Sequence, residues 1–328
     1  MRRRFWSAAL CVAVLGLPSF APQAADDDDL PRWAYAVPKY PALAYVKPPP
    51  SNEPLQRVPG SSLELTVNQT KDMFNAPDWH PDSHPPAPEV VLRCSRRNLE
   101  ACAHCHLANG QGSNILQAPS LAGLSVSYMM QQFADYKDGA RKSAVLPYGG
   151  PATMKFVLNH ADEADFKAAA EYFATVKLQP WFRVVETARV AQNIVRAEMT
   201  PPVAPEEPIG MPIFEFPEDI ARAGLRDSAS GFIAYVPPGS MKKGEALVTT
   251  GGKGLTTACL TCHGHGLRGL GPVPALAGRS PTYIVRELYN MQQGARTSPW
   301  SALMAPVVSK LTLADMVATA AYTASREP

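Results

Sequence analysis

The spacing of apolar and polar residues predicts helices in two separate parts of the chain. Apolar residues recur at helical spacing after acidic starts in "DEADFKAAAEYFATV", and again after Thr312 in "TLADMVATAAYTAS". Ser280-Pro281 predicts the N-cap and first residue of a helix that ends near Gly294, and Ser125 holds the corresponding place earlier. Two further helices are predicted, at residues 89–101 and 241–250.

These helical patterns belong to an internal repeat. "PSLAG" at 119–123 corresponds to "PALAG" at 274–278, and "YMMQQFADYKDGAR" at 128–141 corresponds to "YIVRELYNMQQGAR", both with an offset of 155 residues. "MKFVLNHADEADFKAAAEYF" from Met154 matches "MAPVVSKLTLADMVATAAYT" from Met304. The sequence therefore predicts two homologous modules, each with the order helix, motif turn, loop, helix, methionine loop and helix. The first module spans 89–178 and the second 240–328.

The segments outside the repeat have a different composition. Residues 26–88 are rich in proline and predict an extended N-terminal arm packed on a domain, or alternatively a docking surface for a redox partner. Residues 179–239 contain "IGMPIFEFPED" and "SGFIAYVPPGS", which predict two short strands in a β-hairpin-like inter-domain segment. The predicted fold class is all-α in the two modules.

The N-terminus predicts export. Arginines at positions 2 to 4 precede the apolar run "FWSAALCVAVLGL", and small residues follow, as in a signal peptide over residues 1–25. The run is too short to span a bilayer, so we expect a periplasmic protein with at most peripheral membrane contact. Retention of the uncleaved segment as an anchor is the alternative.

The charge balance argues against nucleic acid as a partner. The formal net charge of +2 includes the three signal arginines, and removing them leaves the mature chain close to neutral. Proteins that bind nucleic acid normally present a basic face.

Two cysteine motifs carry the candidate chemistry. "CAHCH" at 102–106 and "CLTCH" at 259–263 both have the form C-x-x-C-H, in which two thiols form thioethers to haem and the histidine ligates its iron. A four-cysteine zinc site would not require a histidine after each pair, and a redox dithiol would need a βαβ context that is not visible. The sequence predicts two covalently attached haem c groups, held by Cys102, Cys105, His106, Cys259, Cys262 and His263.

With these motifs and the repeat, each module resembles a class I cytochrome c domain. The whole chain is similar to tandem dihaem cytochromes c that carry electrons in the bacterial periplasm. The resemblance covers about 90–178 and 240–326 and leaves out the arm and the inter-domain segment.

The resemblance implies the second axial ligand of each iron. In the family, this ligand is a methionine on the loop before the last helix, which matches Met154 and Met304. His160 could replace Met154 only by a shift of the loop. With iron ligands at His106 and His263 as well, both haems would have His/Met ligation.

The resemblance also implies residues that support the haems. Pro119 and Pro274 match the proline whose carbonyl accepts a hydrogen bond from the proximal imidazole. We expect a leucine to pack on each haem and an arginine to neutralise propionates, although an arginine at a helix end is often only a solvated charge. The matching residues are Leu121, Leu276, Arg141 and Arg296.

The expected function is single-electron transfer with no catalytic residue. Expected partners are redox proteins: a dehydrogenase as donor, and an oxidase or another cytochrome as acceptor. Two alternatives stay open. The first is a dihaem redox enzyme of the thiosulfate dehydrogenase or peroxidase type, and the second is a cytochrome subunit of a dehydrogenase.

Some cysteines and histidines have no assigned role. Cys94 has no disulfide partner once the motif and signal cysteines are removed, so we expect a buried small hydrophobe or a sulfur ligand competing with Met154. His104, between the motif cysteines, is predicted to be a bystander. His80 and His84 are predicted to lie on the surface.

Overall fold

The structure is a computed structural model that describes residues 30–35, 52–93, 99–146, 150–195 and 199–328. The predicted signal peptide and Cys94 lie outside the described residues. The described part combines helices with five short strands.

The first module forms most of the predicted helices. Ser125 caps one of them by accepting a hydrogen bond from Tyr128 N, and Asp162 caps another through Asp165 N, which confirms both predicted helix starts. The helices of the arm and first module are α1 (Val67–Thr70), α2 (Glu89–Leu92), α3 (Cys102–His106), α4 (Val126–Lys137), α5 (Gly150–His160) and α6 (Glu163–Thr175).

Of the predicted helix at 89–101, the described residues form only the first turn, and residues 93 and 99–101 are not helical. Helix α2 ends at Leu92, whose carbonyl accepts a hydrogen bond from Ala76 N at 2.9 Å. Ala101 N donates to Met73 O at 2.9 Å, so the arm takes up backbone groups that a longer helix would have paired internally. Tertiary pairing with the arm thus replaces local helix formation here.

The second module also forms its predicted helices. Ser280 accepts a hydrogen bond from Tyr283 N, and Thr312 forms a capping box with Asp315, confirming two predicted starts. The helices of the inter-domain segment and second module are α7 (Gln192–Val195), α8 (Ile220–Gly224), α9 (Ser240–Gly254), α10 (Leu260–His263), α11 (Pro281–Gln292), α12 (Pro299–Ala302), α13 (Ala305–Val308) and α14 (Leu313–Ala324).

The first and last helices of the second module cross at a glycine. A Cβ atom placed on Gly244 of α9 would lie 2.0 Å from the carbonyl oxygen of Ala318 in α14. Only the absence of a side chain allows the two backbones to approach this closely. The contact holds the module's first and last helices together around its core.

The chain as a whole is not all-α, because the inter-domain segment forms a sheet, although all five described strands lie outside the two modules. The two predicted strands pair antiparallel, but α8 lies between them, and a third strand pairs in parallel with the last one. The sheet order is β1-β5-β4, and β2 and β3 form a separate antiparallel pair. The strands are β1 (Phe182–Glu186), β2 (Arg189–Ala191), β3 (Glu206–Pro208), β4 (Phe214–Pro217) and β5 (Phe232–Val236).

The sheet packs against the second module. Alternate residues of β5, Phe232, Ala234 and Val236, are buried in the same apolar cluster as Met316 and Val317 of α14. This period-two burial is the pattern of a strand with one face on a core. The sheet and the second module therefore share one core, although the sheet belongs to the inter-domain segment and lies outside the repeat.

The N-terminal arm reaches the second module as well. Tyr35 Oη donates to Asn290 Oδ1 at 2.8 Å, and the Arg286 guanidinium donates to Ala34 O at 2.7 Å. Both partners belong to α11, more than 250 residues away in the chain. The described end of the arm is thus fixed to the module farthest from it in sequence.

Within the described ranges, no single helix has the length and apolar character needed to cross a membrane. One bent pair, Pro299–Val308 with Leu313–Ala324 at 113°, meets the requirement of length and composition together.

Candidate functional site

One cavity, formed by both modules, is lined by all the residues that the sequence singles out for a site. In the first module these residues come from α3, the following loop, the turn after α4, and α5, and the second module supplies the equivalent set. The predicted residues on the cavity wall are Cys102, Cys105, His106, Pro119, Leu121, Arg141, Met154, Cys259, Cys262, His263, Pro274, Leu276, Arg296 and Met304.

The two motif histidines have the same hydrogen bond. His106 Nδ1 lies 2.8 Å from Pro119 O, and His263 Nδ1 lies 2.8 Å from Pro274 O. Each C-x-x-C-H motif forms about one turn of helix, followed by a residue with positive φ, which turns the chain sharply after the histidine. The carbonyl selects the tautomer with a proton on Nδ1, which leaves the Nε2 lone pair for a metal ion.

Burial keeps the motif side chains neutral. It lowers the pKa of His106 and of His263, against the opposing effect of the proline carbonyls. Burial also raises the pKa of the Cys105 thiol to about 12 and of the Cys259 thiol to about 11. A redox dithiol needs a lowered thiol pKa, so these cysteines do not fit that alternative.

The two methionines occupy different local structures. Met304 lies between α12 and α13, as a loop ligand would, whereas Met154 lies inside α5. The expectation of a loop at Met154 is therefore wrong. Pro151 is tolerated in the first turn of a helix, and the residues after it contain no further helix breaker. Both side chains are partly buried and line the cavity.

The two predicted arginines meet between the modules. Arg141 Nη1 and Arg296 Nη2 both donate to Gln132 Oε1, at 2.8 and 2.6 Å. Both guanidinium groups form ion pairs with Glu287, and Arg141 Nη2 also donates to the Tyr283 hydroxyl at 2.8 Å. Neither arginine is a solvated helix end, because both are buried.

This buried cluster carries a net positive charge. Burial opposes ionisation of Glu287, but the charges of Arg141 and Arg296 outweigh it and lower the pKa of that carboxyl group. One carboxylate then faces two guanidinium groups. Arg296 Nε is buried without a hydrogen-bond partner among the described residues. The cluster could therefore accept a further anionic group.

The sequence contained a signal for the cluster residues that were not predicted. Gln132 and Glu287 are equivalent in the 155-residue repeat, and Tyr128 and Tyr283 are identical at equivalent positions, and all four line the cavity. Arg279 has no such signal, because its equivalent is Leu124. Its guanidinium donates to the carbonyls of Ser120 and Ala122, across the boundary between the modules.

The three unassigned histidines all have partners. Arg226 Nη1 lies 2.9 Å from His104 Nδ1, so His104 is not a bystander. His80 Nε2 lies 2.7 Å from the buried Asp227 carboxylate, and His84 Nε2 lies 3.1 Å from Asp78. The expectation that His80 and His84 lie on the surface is wrong, because Asp227 of the inter-domain segment lies against His80, whereas Asp78 of the arm and Tyr172 of α6 lie against His84.

A second possible ligand group overlaps the first motif. Ligand atoms of Glu100, His104 and Cys105 lie within 4.8 Å of one another. The Arg226 guanidinium beside His104 places a positive charge next to this group, which disfavours a bound cation. Cys105 also belongs to the motif, so we assign no separate metal site to this cluster.

The metal-ligand atoms, the paired thiols and the apolar walls of the cavity fit a haem group. Imidazole and thioether are axial ligands of c-type haem iron, and paired thiols attach the macrocycle. Leu121 and Leu276 provide apolar wall, and the arginine cluster provides cations for propionates. The same elements occur once in each module.

Comparison with known proteins agrees with this reading of the site. The sequence profile of the cytochrome c family matches residues 98–177. Cytochrome c-554(548) of Halomonas halodenitrificans is 37% identical over 70 residues, which are 21% of this chain and 84% of that protein. A "Thiosulfate dehydrogenase electron acceptor" of Thiomonas intermedia is 27% identical over 230 residues, covering 69% of this chain and 78% of that protein.

A solved structure is also similar to the chain. It is the thiosulfate dehydrogenase TsdBA of Marichromatium purpuratum, with 24% identity and a TM-score of 0.46. The match covers 69% of this chain but only 36% of that one, so this chain spans about a third of that protein's length.

Proposed function

This chain belongs to the cytochrome c family, whose members hold haem and transfer electrons, and we propose that it is an exported dihaem carrier with a haem in each module. In this proposal both irons have His/Met ligation, and single electrons pass between redox proteins of the periplasm or the membrane.

The duplicated site is the observation that carries the proposal. Two C-x-x-C-H motifs hold their histidines by the same 2.8 Å hydrogen bond to a proline carbonyl, at equivalent positions of the repeat. The family profile covers the first module only, so the second haem rests on this equivalence. The second module contains the same motif, proline and methionine as the first, and this set of residues is the one that a haem requires.

Each side chain has a distinct part in this function. Cys102 with Cys105, and Cys259 with Cys262, would hold the two haems by thioether bonds. A bound haem supplies an iron that cycles between ferric and ferrous states by one electron. His106 and His263 would bind iron through Nε2, and their Nδ1 hydrogen bonds would fix the ring orientation.

The remaining residues of the site would tune the reduction potential of each haem iron. Thioether sulfur stabilises ferrous iron, so Met154 and Met304 would raise the reduction potential. The cluster of Arg141, Arg296 and Glu287 would neutralise haem propionates in a buried setting, where charge interactions are strong. The apolar walls would exclude water from a bound haem, which favours electron transfer without side reactions.

The curated relatives favour one class of partner. One relative is named as the electron acceptor of a thiosulfate dehydrogenase, and this supports the interpretation that the chain accepts electrons from a dehydrogenase, freely or as its subunit. Catalysis by the chain itself would need a haem with another ligand or an open position. Met154 and Met304 on the cavity wall favour a carrier.

The number of haems tests the proposal. The haem content of the purified protein, measured by the pyridine haemochrome assay, should be two per chain. Replacing Cys102 and Cys105 by alanine should leave one haem, and so should replacing Cys259 and Cys262. A content of one haem in the unchanged protein would contradict the dihaem proposal.

A further inference from the structure

A single buried arginine connects the two loops that hold the motif histidines. These proximal loops follow the C-x-x-C-H motifs and end at the repeated glycine, at 107–123 and 264–278. Arg279, the residue after the second loop, is 4% exposed and lines the cavity formed by both modules. Its equivalent in the first module is Leu124, which is also buried, so this charge occurs once in the repeat.

The guanidinium group binds the equivalent carbonyl of each proximal loop. Arg279 Nη1 donates to Ser120 O at 2.8 Å, and Arg279 Nε donates to Ala275 O at 2.7 Å. Ser120 and Ala275 are equivalent in the 155-residue repeat. Each directly follows the proline whose carbonyl lies against a motif histidine, Pro119 or Pro274. The same cation therefore contacts the peptide group next to both histidine hydrogen bonds.

Backbone hydrogen bonds within each loop orient these two carbonyls toward the guanidinium group. Leu121 N donates to Gly110 O at 2.8 Å, and the equivalent amide, Leu276 N, donates to Leu267 O at 2.8 Å. In a trans peptide bond the N–H and C=O groups point in opposite directions, so fixing each N–H on one side leaves the preceding carbonyl on the other. Each loop is thus ordered by its own bonds, and Arg279 joins the two.

The Arg279 guanidinium has no carboxylate partner among the described residues. Its hydrogen bonds, to Ser120, Ala122 and Ala275, all go to backbone carbonyl groups. Burial lowers the pKa of Arg279 to about 10, so the side chain stays charged at neutral pH. The other two arginines of the cavity share a carboxylate, which offsets part of their charge. The charge of Arg279 therefore acts in full on groups inside the cavity.

We propose that Arg279 is a positioning residue that joins both proximal loops, and that its charge raises the reduction potentials of both haem irons. This inference rests on the proposed carrier function. Each iron gains one electron from a reduced redox protein, so no bond is made or broken. A nearby cation favours the ferrous state, which carries one positive charge less. A cation beside the proline carbonyl also weakens that carbonyl as an acceptor, which lowers the basicity of the histidine ligand and has the same sign.

Two variants separate the charge of Arg279 from its hydrogen bonds. Arg279→Gln removes the charge but keeps an amide donor, whereas Arg279→Lys keeps the charge without the planar fork of donors. In a redox titration of the holoprotein, Arg279→Gln should lower both one-electron equilibrium constants by roughly tenfold, or about 59 mV in each potential. A charge about 10 Å away at an effective dielectric constant of about 20 has an effect of this size. Arg279→Lys should change either constant less than about threefold, because the charge is kept.

Arg286→Gln is the matched control. Arg286 is also buried and donates to the carbonyl of Ala34 at 2.7 Å, but it lies outside the cavity wall. Its replacement should change both equilibrium constants less than about threefold, because the interaction between charges weakens with distance. Low-spin spectra and an unchanged haem content show that each variant is folded.

The outcomes separate this proposal from the carrier function. Unchanged potentials in Arg279→Gln would overturn it, and so would equal shifts in Arg279→Gln and Arg279→Lys, which would assign the effect to hydrogen bonding. A shift confined to one haem, or an equal shift in Arg286→Gln, would also overturn it. If Arg279→Gln does not fold, a roughly tenfold loss in Arg279→Lys would contradict the role of the charge. A single haem in the unchanged protein would instead contradict the carrier function itself.

Discussion

Arg141 and Arg296, which are equivalent residues of the two repeats, lie against each other at the boundary between the modules. They form an isolated antiparallel bridge, flanked by a 2.9 Å hydrogen bond from Lys142 N to Ala295 O and another from Thr297 N to Ala140 O. Because a residue meets its own repeat equivalent, the contact has the form of a two-fold interface within one chain.

Glu287 is predicted to be the counter-charge that this contact needs. Glu287→Gln would remove the side-chain carboxylate that pairs with both buried guanidinium groups, and breaking a buried ion pair in this way costs about 3–5 kcal/mol. We expect the free energy of unfolding of the holoprotein, measured by urea titration, to fall by a large part of that amount. The matched control is Glu245→Gln at an exposed position of α9, and an equal effect there would contradict the role of Glu287.

The pH dependence of the same cluster has a defined sign. The pKa of Glu287 is lowered in the folded protein, so the cluster's stabilisation is present above the ordinary carboxyl pKa of 4.5 and is lost as the pH falls through the lowered value. Unfolding measurements from pH 6 to pH 3 should show an acid loss of stability that is smaller in Glu287→Gln. The same acid loss in both proteins would contradict this assignment.

Gly244 is predicted to be essential for packing of the second module. Gly244→Ala would place a methyl group against the Ala318 carbonyl, and forcing extra volume into a packed contact costs about 1–3 kcal/mol or more. The melting temperature should fall by several degrees, as about 1 kcal/mol shifts it by roughly 2–4 °C in a protein of this size range. Gly224→Ala is the matched control, since its Cβ would meet no atom within 4 Å, and it should be close to neutral.

His84 is predicted to make the stability of the arm depend on pH. The hydrogen bond to Asp78 raises the pKa of His84, against burial. A raised pKa means that the charged pair stabilises the fold fully below the ordinary value of 6.5 and loses its effect as the pH rises through the folded value. The difference in unfolding free energy between the unchanged protein and His84→Gln should therefore shrink between pH 6 and pH 8.

Asp78→Asn provides the control for this effect. It removes the partner charge, so it should remove the pH-dependent part of the difference while leaving the Tyr172 hydroxyl beside His84 Nδ1. A difference between the unchanged protein and His84→Gln that is constant with pH would show that His84 acts only by packing.

The sequence could predict which residues line the candidate site because their signals are local or repeated. A C-x-x-C-H motif fixes three residues, two cysteines and a histidine, by chemistry alone, and the repeat carries each assignment from one module to the other. Helix starts at Ser125, Ser280 and Thr312 followed for the same reason, since a cap depends on the next three residues. All the predicted residues consequently appear on one cavity wall.

The features that the sequence did not predict depend on contacts between segments far apart in the chain, and residue spacing does not encode such contacts. Strand β1 pairs in parallel with β5 across 50 residues, and Arg226 reaches His104 across 122. Helix α2 ends at Leu92 because the arm takes up backbone groups of Leu92 and Ala101, and His80 was placed on the surface because the segment that covers it was unknown.

A redox titration followed by optical absorption tests the central claim most directly. We expect two electrons per chain, taken up in one-electron steps, with low-spin spectra and an absorption band of methionine-ligated ferric iron. Met154→Ala and Met304→Ala should each remove about half of that band, because two equivalent haems contribute to it. Uptake of one electron per chain, a high-spin haem, or an unchanged band in both variants would contradict the account.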